Sequence, residues 1–306
     1  MPLKLIFMGT PEFSLRTLEK IIDSEHKVEC VYTQSPKKKS RGQKIKKSPV
    51  HLFAEKFSIP VRTPDKLDNN VELENFLKIN PDVVVVVAYG KILPDKLLNI
   101  PKTPFINLHA SLLPKWRGAA PIERSILNLD SQSGITIMKL VKKLDAGPFI
   151  KQIKVSINKN TTGENLRKKL SEIGAKAIIE SLNLIEKGQE NYLAQDENEA
   201  SYAKKILKSE TKINWNESAE KIVAKINAFS PKPGAWFQYN NYRIKVIEAK
   251  EVDKSGKIGS VIDEQLTIAT KNKSIKIIKL QKEGKKIVDV EDFLKGNYIN
   301  KGTQLN

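Results

Sequence analysis

The sequence predicts an α/β fold, a doubly wound and mostly parallel sheet, followed by a second, smaller β-barrel domain of OB-like type. Three observations carry this reading. Short apolar runs alternate with stretches of helical spacing through residues 1–188. Five consecutive valines, Val83 to Val87, stand between Pro81 and Gly90, the texture of a parallel strand buried on both faces. From about Glu210 the pattern restarts as short extended runs broken by frequent turns.

The first run, "LKLIFMG", ends in glycine and passes into "TPEFSLRTLEKII", where Thr10 is placed to cap a helix and Pro11 to take its first position. Phe13, Thr17, Leu18, Ile21 and Ile22 recur there near helical spacing. "VECVYTQ" predicts a second strand, "SPVHLFAEKF" a helix, "IPVRTP" a short strand and "NVELENFLKIN" a helix ahead of the valine strand. "TPFINLHAS" continues the sheet, and "GITIMKLVKKLDAGPFI" gives an extended run with a turn at Asp145 to Pro148. "ENLRKKLSEIGAKAIIESLNLIEKG" is a long amphipathic helix, which closes a first domain over residues 1–188.

Residues 189–209 are polar without sustained periodicity and are expected to be a linker. The second domain, residues 210–306, opens with a helix, "NESAEKIVAKINAF", broken by "SPKPGAW". "AWFQYNNYRIKVIEAKEV" reads as two strands about Asn240 and Asn241, and "GSVIDE", "QLTIATKN", "KSIKIIKLQKEG" and "KKIVDVEDFLKG" follow at short spacing.

The 306 residues carry 53 Lys and Arg against 35 Asp and Glu, a net charge of +18. An excess of that size is a statement about partners, and polyanions come first, nucleic acid ahead of membrane. Residues 1–188 hold 32 basic and 19 acidic side chains, and residues 189–306 hold 21 and 16, so most of the field belongs to the first domain. No apolar run approaches the roughly 18 residues of a membrane span, and the N-terminal run is too short for a secretory signal. A cytoplasmic protein with no membrane partner is expected. The single cysteine, Cys30, excludes an intrachain disulfide and a Cys-rich zinc cage and is expected to be ordinary packing. Neither metal-ligand spacing nor a serine nucleophile motif is present, and "MGTPEF" lacks the later glycines of a dinucleotide fingerprint. No metal is expected.

One of only three histidines, His109, stands two residues after Asn107 in "NLHASLLPKWRGAAPIERSI". Side chains alternate along a strand, so Asn107 and His109 project to one face near a strand's carboxyl end, where doubly wound sheets bind ligands. The amide can donate to an oxygen gaining charge, and imidazole, with an ordinary pKa of about 6.5, suits proton transfer near neutrality. A hydrogen-bonded histidine at a strand end is the ordinary alternative, and on spacing alone the two readings stand level. Asp145, in "KLDAGP", could orient and charge-stabilise His109, although a D-x-G turn is most often structural. His26, in "DSEHK", is expected to be solvated, and His51 opens a helix.

"MGTPEFS", "VVAYGKILP", "NLHASLLPKWRGAAPI" and "KLDAGP", in this order and at these spacings, resemble the methionyl-tRNA formyltransferases, members of the folate-dependent formyltransferases. "ASYAKKILKSETKINW" and "FSPKPGAW" resemble the family's linker and second-domain entry, so the resemblance spans nearly the whole chain. It implies a formyltransferase fold and transfer of the formyl group of 10-formyltetrahydrofolate to the amino group of methionyl initiator tRNA, without a metal and by a monomer. It makes Asn107, His109 and Asp145 the catalytic set. It also implies a folate and formyl pocket walled by Ala88, Tyr89, Gly90, Ile92, Leu93 and Pro94 on one side. Ser111, Leu112, Leu113, Pro114, Trp116, Arg117 and Gly118 would form the other. An RNA-binding scaffold and a small-molecule formyltransferase are the competing readings; the first gives no reason for the catalytic set, and the second leaves the basic charge unexplained.

In "SPKKKSRGQKIKKSP" seven basic residues, Lys37, Lys38, Lys39, Arg41, Lys44, Lys46 and Lys47, occur with no acid. A solvated charge run is the usual reading of such a segment. The resemblance implies instead a loop that enters the tRNA acceptor stem. Trp236, Phe237, Tyr239 and Tyr242 would be stacking platforms in an OB-type binder, and core residues in an ordinary small barrel.

Overall fold

The computed structural model describes residues 1–39, 44–100 and 102–305. They divide into two compact units, the first made of Met1–Gly118, Ser133–Val155 and Arg167–Tyr202, the second of Ala119–Gln132, Ser156–Leu166 and Ala203–Asn306.

In the first unit β1 (Lys4–Gly9) leads through α1 (Glu12–Ile22) to β2 (Lys27–Tyr32). Thr10 does not cap α1. Pro11 takes the cap position, and the Thr10 hydroxyl donates instead to Tyr89 O at 2.9 Å, tying the end of β1 to the loop beyond the valine strand. The Ser14 hydroxyl donates to Val87 O at 2.6 Å and strengthens the same tie. After β2 come β3 (Lys37–Lys39) and β4 (Lys44–Lys46), an antiparallel pair with Lys37 opposite Lys46. The described residues of the basic run therefore form a ribbon.

α2 (Pro49–Lys56) is capped by Ser48, whose hydroxyl accepts from the His51 N–H at 3.0 Å. β5 (Val61–Arg62) follows, then α3 (Asn70–Ile79), capped by Asn69. β6 (Val83–Val87) is buried at every position, as a central strand with apolar residues on both faces requires. Beyond α4 (Asp95–Leu98), β7 (Phe105–His109) runs parallel to β6, with Val86 opposite Asn107.

β8 (Arg117–Gly118) is a short extended segment, and α5 (Pro121–Leu127) belongs to the second unit. β9 (Gln132–Lys139) then lies antiparallel to β7, placing Thr136 opposite His109, and turns into β10 (Phe149–Ser156). The seven-stranded order is β10-β9-β7-β6-β1-β2-β5, parallel from β7 to β5. α6 (Gly163–Glu186) covers one face, and Gly174 lets it approach β7: a Cβ there would meet the Leu108 side chain at 2.6 Å.

One core cluster gathers Ile6, Met8, Cys30, Tyr32, Phe76, Val84, Val86 and Phe105. Burial pushes the Cys30 thiol up to about 11, the signature of packing rather than reactivity. His26 is not solvated. It is 5% exposed, its Nδ1 accepts from the Leu3 N–H at 3.3 Å and its Nε2 meets Asn183 Oδ1 at 3.1 Å. The charged neighbours in "DSEHK" concealed an imidazole that satisfies a strand end and a helix.

After β11 (Tyr202–Ala203), α7 (Ala219–Phe229) is capped by Ser218 and packs against α5. β12 (Ala235–Tyr239) and β13 (Tyr242–Val252) pair about a turn in which Asn240 and Asn241 both take positive φ, 45° and 62°. β14 (Thr267–Ala269), β15 (Ser274–Lys282) and β16 (Ile287–Asp289) complete a five-stranded antiparallel sheet, the small β domain expected from the turn spacing. The run "KKIVDVEDFLKG" is only half strand. Asp289 starts α8 (Val290–Gly296), whose buried Val290 and Phe293 follow helical spacing.

Candidate active site

β7 ends on the residues whose spacing drew attention. Asn107 is 9% exposed and His109 7%, so both side chains are buried along β7. The His109 Nε2 lies 2.9 Å from Trp116 O. A carbonyl can only accept, so Nε2 carries a proton and Nδ1 is the nitrogen with a free lone pair. Asp145 Oδ2 lies 3.7 Å from that Nδ1, close enough to stabilise an imidazolium but too far for a hydrogen bond.

Asp145 sits in the β9–β10 turn at φ +48°, a left-handed conformation that costs a non-glycine residue roughly 1–2 kcal/mol. Its Oδ2 accepts from the Gly118 N–H at 2.8 Å. One residue on either side of Arg117 therefore holds one of the pair: Trp116 holds His109 and Gly118 holds Asp145. Trp116, also at positive φ, is fixed through its N–H to Ser201 Oγ at 2.9 Å.

Gly147 in the same turn admits no side chain, because a Cβ would fall 1.8 Å from Lys139 O. Gly147→Ala should therefore cost about 1–3 kcal/mol through forced backbone movement and displace Asp145. Thermal unfolding checks it; an unchanged midpoint would show that the turn yields freely.

The segment from Ser111 to Gly118 is tied to the sheet. Thr136 Oγ1 donates to Ser111 O at 2.7 Å and accepts from the Leu113 N–H at 3.1 Å, while Gln152 Nε2 donates to Leu113 O at 2.6 Å. Ser111 and Leu113 are buried, and Leu112, Pro114, Trp116 and Gly118 are half-buried. Arg117 does not face outward as a pocket wall. Its side chain is fully buried, donating to Gln195 Oε1 at 2.7 Å and to both Glu197 oxygens at 3.0 Å. Arg117, then Lys143, hold the Glu197 carboxyl down at about 2.

Across the sheet, Val86 of β6 pairs with Asn107 of β7. Ala88 and Gly90 are exposed at positive φ, 47° and 79°, and Ile92 is 93% exposed. Leu93 packs on the core and Pro94 starts α4. Tyr89 points the other way, 2% exposed in the core, so only its backbone reaches this side. Gln34, which the sequence reading missed, donates to Tyr89 O at 3.1 Å and Gly90 O at 3.3 Å. Its place just after β2, at the ligand-binding end of the sheet, was the available signal.

Of the basic run, Lys46 is exposed, Lys37 Nζ donates to Gln34 Oε1 at 2.8 Å, and Lys47 Nζ meets Glu55 at 2.5 Å. Arg41 and the side chains of Lys38, Lys39 and Lys44 lie outside the described residues. In the second unit Phe237 is core, and Trp236 is half-buried with the Arg243 guanidinium 4.0 Å from its ring centre. Tyr239 donates to Tyr298 O at 2.7 Å, while Tyr242 is half exposed beside Lys282 and helps line a surface pocket. Among the described residues no three His, Cys, Asp or Glu come together as a metal site, and no helix is long and apolar enough to cross a membrane.

Asn107 and His109 lie on an interior strand of a mostly parallel sheet with Asp145 facing His109, and comparison with known proteins gives the class of protein that this fold and site belong to. The formyl transferase model matches residues 3–182 and the formyl transferase C-terminal domain model residues 205–298. The chain belongs to the formyl transferase family. The methionyl-tRNA formyltransferase of Pelagibacter ubique is 46% identical over 304 residues, covering 99% of this chain and 98% of that protein. That of Paramagnetospirillum magneticum is 41% identical over 304 residues, covering 99% and 100%. Within the family, the chain therefore falls among the methionyl-tRNA formyltransferases. In fold it also resembles an N-formyltransferase from Helicobacter canadensis, solved with folinic acid and dTDP-3-aminofucose, at TM-score 0.69 and 22% identity over 90% of this chain and 99% of that one.

Proposed function

We propose that the chain transfers the formyl group of 10-formyltetrahydrofolate to the α-amino group of methionyl initiator tRNA, in the cytoplasm and as a monomer. The observation that carries this reading is the His109–Asp145 pair, 3.7 Å apart, with the buried Asn107 two residues before His109 on the same strand. The folate supplies the formyl carbon. Asn107 Nδ2 donates to the formyl oxygen as it gains charge, and His109 takes part in the proton exchange. The bond from carbon to the folate N10 breaks as the bond to the amine forms, the amine losing a proton and N10 gaining one. Because Nε2–H is engaged on Trp116 O, Nδ1 is the nitrogen that accepts, and Asp145 stabilises the resulting charge.

The pocket for the folate would lie between Ala88–Pro94, with Tyr89 contributing backbone only, and Ser111–Gly118, with the Arg117 side chain turned away. Residues 1–188 carry the chemistry, 189–209 link, and 210–306 add tRNA contacts. Lys37, Lys38, Lys39, Arg41, Lys44, Lys46 and Lys47 meet acceptor-stem phosphates. Purified protein given 10-formyltetrahydrofolate and charged initiator tRNA should yield formyl-methionine; intact methionyl-tRNA with no formylation would overturn the reading.

Asp145→Asn keeps the shape and the Gly118 contact but removes the charge facing His109. Turnover should fall by about tenfold or more and its pH dependence should change. An unaltered rate and pH profile would return this turn to a purely structural role.

A further inference from the structure

We infer that Gln195 is a positioning residue for formyl transfer, a single amide that holds the Asp145 turn and the Trp116–Gly118 segment in register about His109. The inference rests on the catalytic assignment of Asp145 and His109 proposed above. Gln195 Nε2 donates to Asp145 O at 2.9 Å and to Gly147 O at 2.7 Å. Its Oε1 accepts from Arg117 Nε at 3.1 Å and Nη2 at 2.7 Å. Only a carboxamide can donate twice and accept twice in this way; a carboxylate cannot donate and an ammonium cannot accept.

The two segments it joins touch the imidazole from opposite nitrogens. Trp116 O takes Nε2, and Asp145, held by the Gly118 N–H, faces Nδ1. Asp145 is also the strained residue of its turn, at φ +48°, and such backbone persists only where its surroundings over-determine it. Gln195 anchors the carbonyl of that residue and the carbonyl two positions on. Arg117, fully buried, is the fixed point against which the amide is oriented, being itself clamped by Glu197 and by its N–H to Ser201 O at 2.8 Å.

Gln195→Glu keeps the acceptor for Arg117 and removes both donors to the turn, which makes it the informative variant. In the full-length protein, kcat should fall by about tenfold or more while KM for tRNA and for folate stays within about twofold. The ring 15N signals of His109 should move from their wild-type positions. In an Asp145→Asn background the same change should lower kcat by less than about twofold further, because its route runs through Asp145. An unchanged kcat, unmoved His109 signals, or an equal loss in both backgrounds would overturn the proposal. Should Gln195→Glu fail to fold, Gln195→Asn, one methylene short, goes through the same readouts. Wild-type turnover in Asp145→Asn alone would overturn the catalytic assignment itself, and this proposal with it.

Discussion

Asn107→Ala and His109→Ala should each lower the formylation rate by about 10² or more, with tRNA affinity within about twofold of wild type. Both side chains are more than nine-tenths buried at the end of β7, so neither offers much surface to a macromolecule. Their value lies in where they point. On the proposed mechanism, removing the Asn107 amide removes the donor to the oxygen that gains charge. Removing the His109 ring leaves Trp116 O without its donor and Asp145 without the ring it faces, so on the proposed mechanism loss of proton transfer is joined by loosening of the site. Single-turnover rates at saturating folate and tRNA check this. Near-normal turnover in either variant removes that residue from the mechanism.

Neutralising the basic run should leave folate binding unaltered and flatten the salt dependence of tRNA binding by about one unit of log-log slope per lost phosphate contact. For six or more contacts, that corresponds to a roughly 10³-fold or greater sensitivity between low and moderate salt in the intact protein. Lys37 and Lys46 stand opposite each other across the β3–β4 ribbon, an arrangement disfavoured without a polyanion to share. The residues should not contribute equally. Lys46 is exposed, whereas Lys37 and Lys47 already hold Gln34 and Glu55 and must release them. Titrations of tRNA across salt for single and grouped alanine variants test both points. A grouped variant with wild-type affinity and slope would make the ribbon a solvated surface only.

What could be seen in the sequence was what local pattern encodes. Five valines between Pro81 and Gly90 marked β6, and an Asn-x-His at the end of the next apolar run marked the ligand side of β7, because strand alternation fixes which side chains share a face. Local pattern also misled. Thr10 precedes Pro11 as a cap would, yet a backbone carbonyl 79 residues away takes its hydroxyl. His26 looked solvated because its sequence neighbours are charged, while its partners are Leu3 and Asn183. "VDVEDFLKG" alternates well enough to pass for a strand, and only the packing of Val290 and Phe293 makes it a helix. The connection between Arg117 and Gln195 spans 78 positions, and both residues look ordinary in their own surroundings. Polar, aperiodic sequence around Gln195 reads as a linker because periodicity reports burial of faces, not the reach of single amides.

The separation between Arg117 and its partners also sets an order of assembly during synthesis. Eighty positions lie between Arg117 and Glu197. At roughly 5–20 residues per second, the ribosome needs about 4–16 s to add them. Through that interval the guanidinium has no carboxylate to accompany it out of water, and burying it alone would cost several kcal/mol. The parallel strands from β1 to β7 are all translated before Arg117 and can pair without it. The loop that carries Trp116 and Gly118 cannot close over His109 until the chain has grown through Gln195 and Ser201, so the nascent protein acquires its scaffold first and its reactive geometry last.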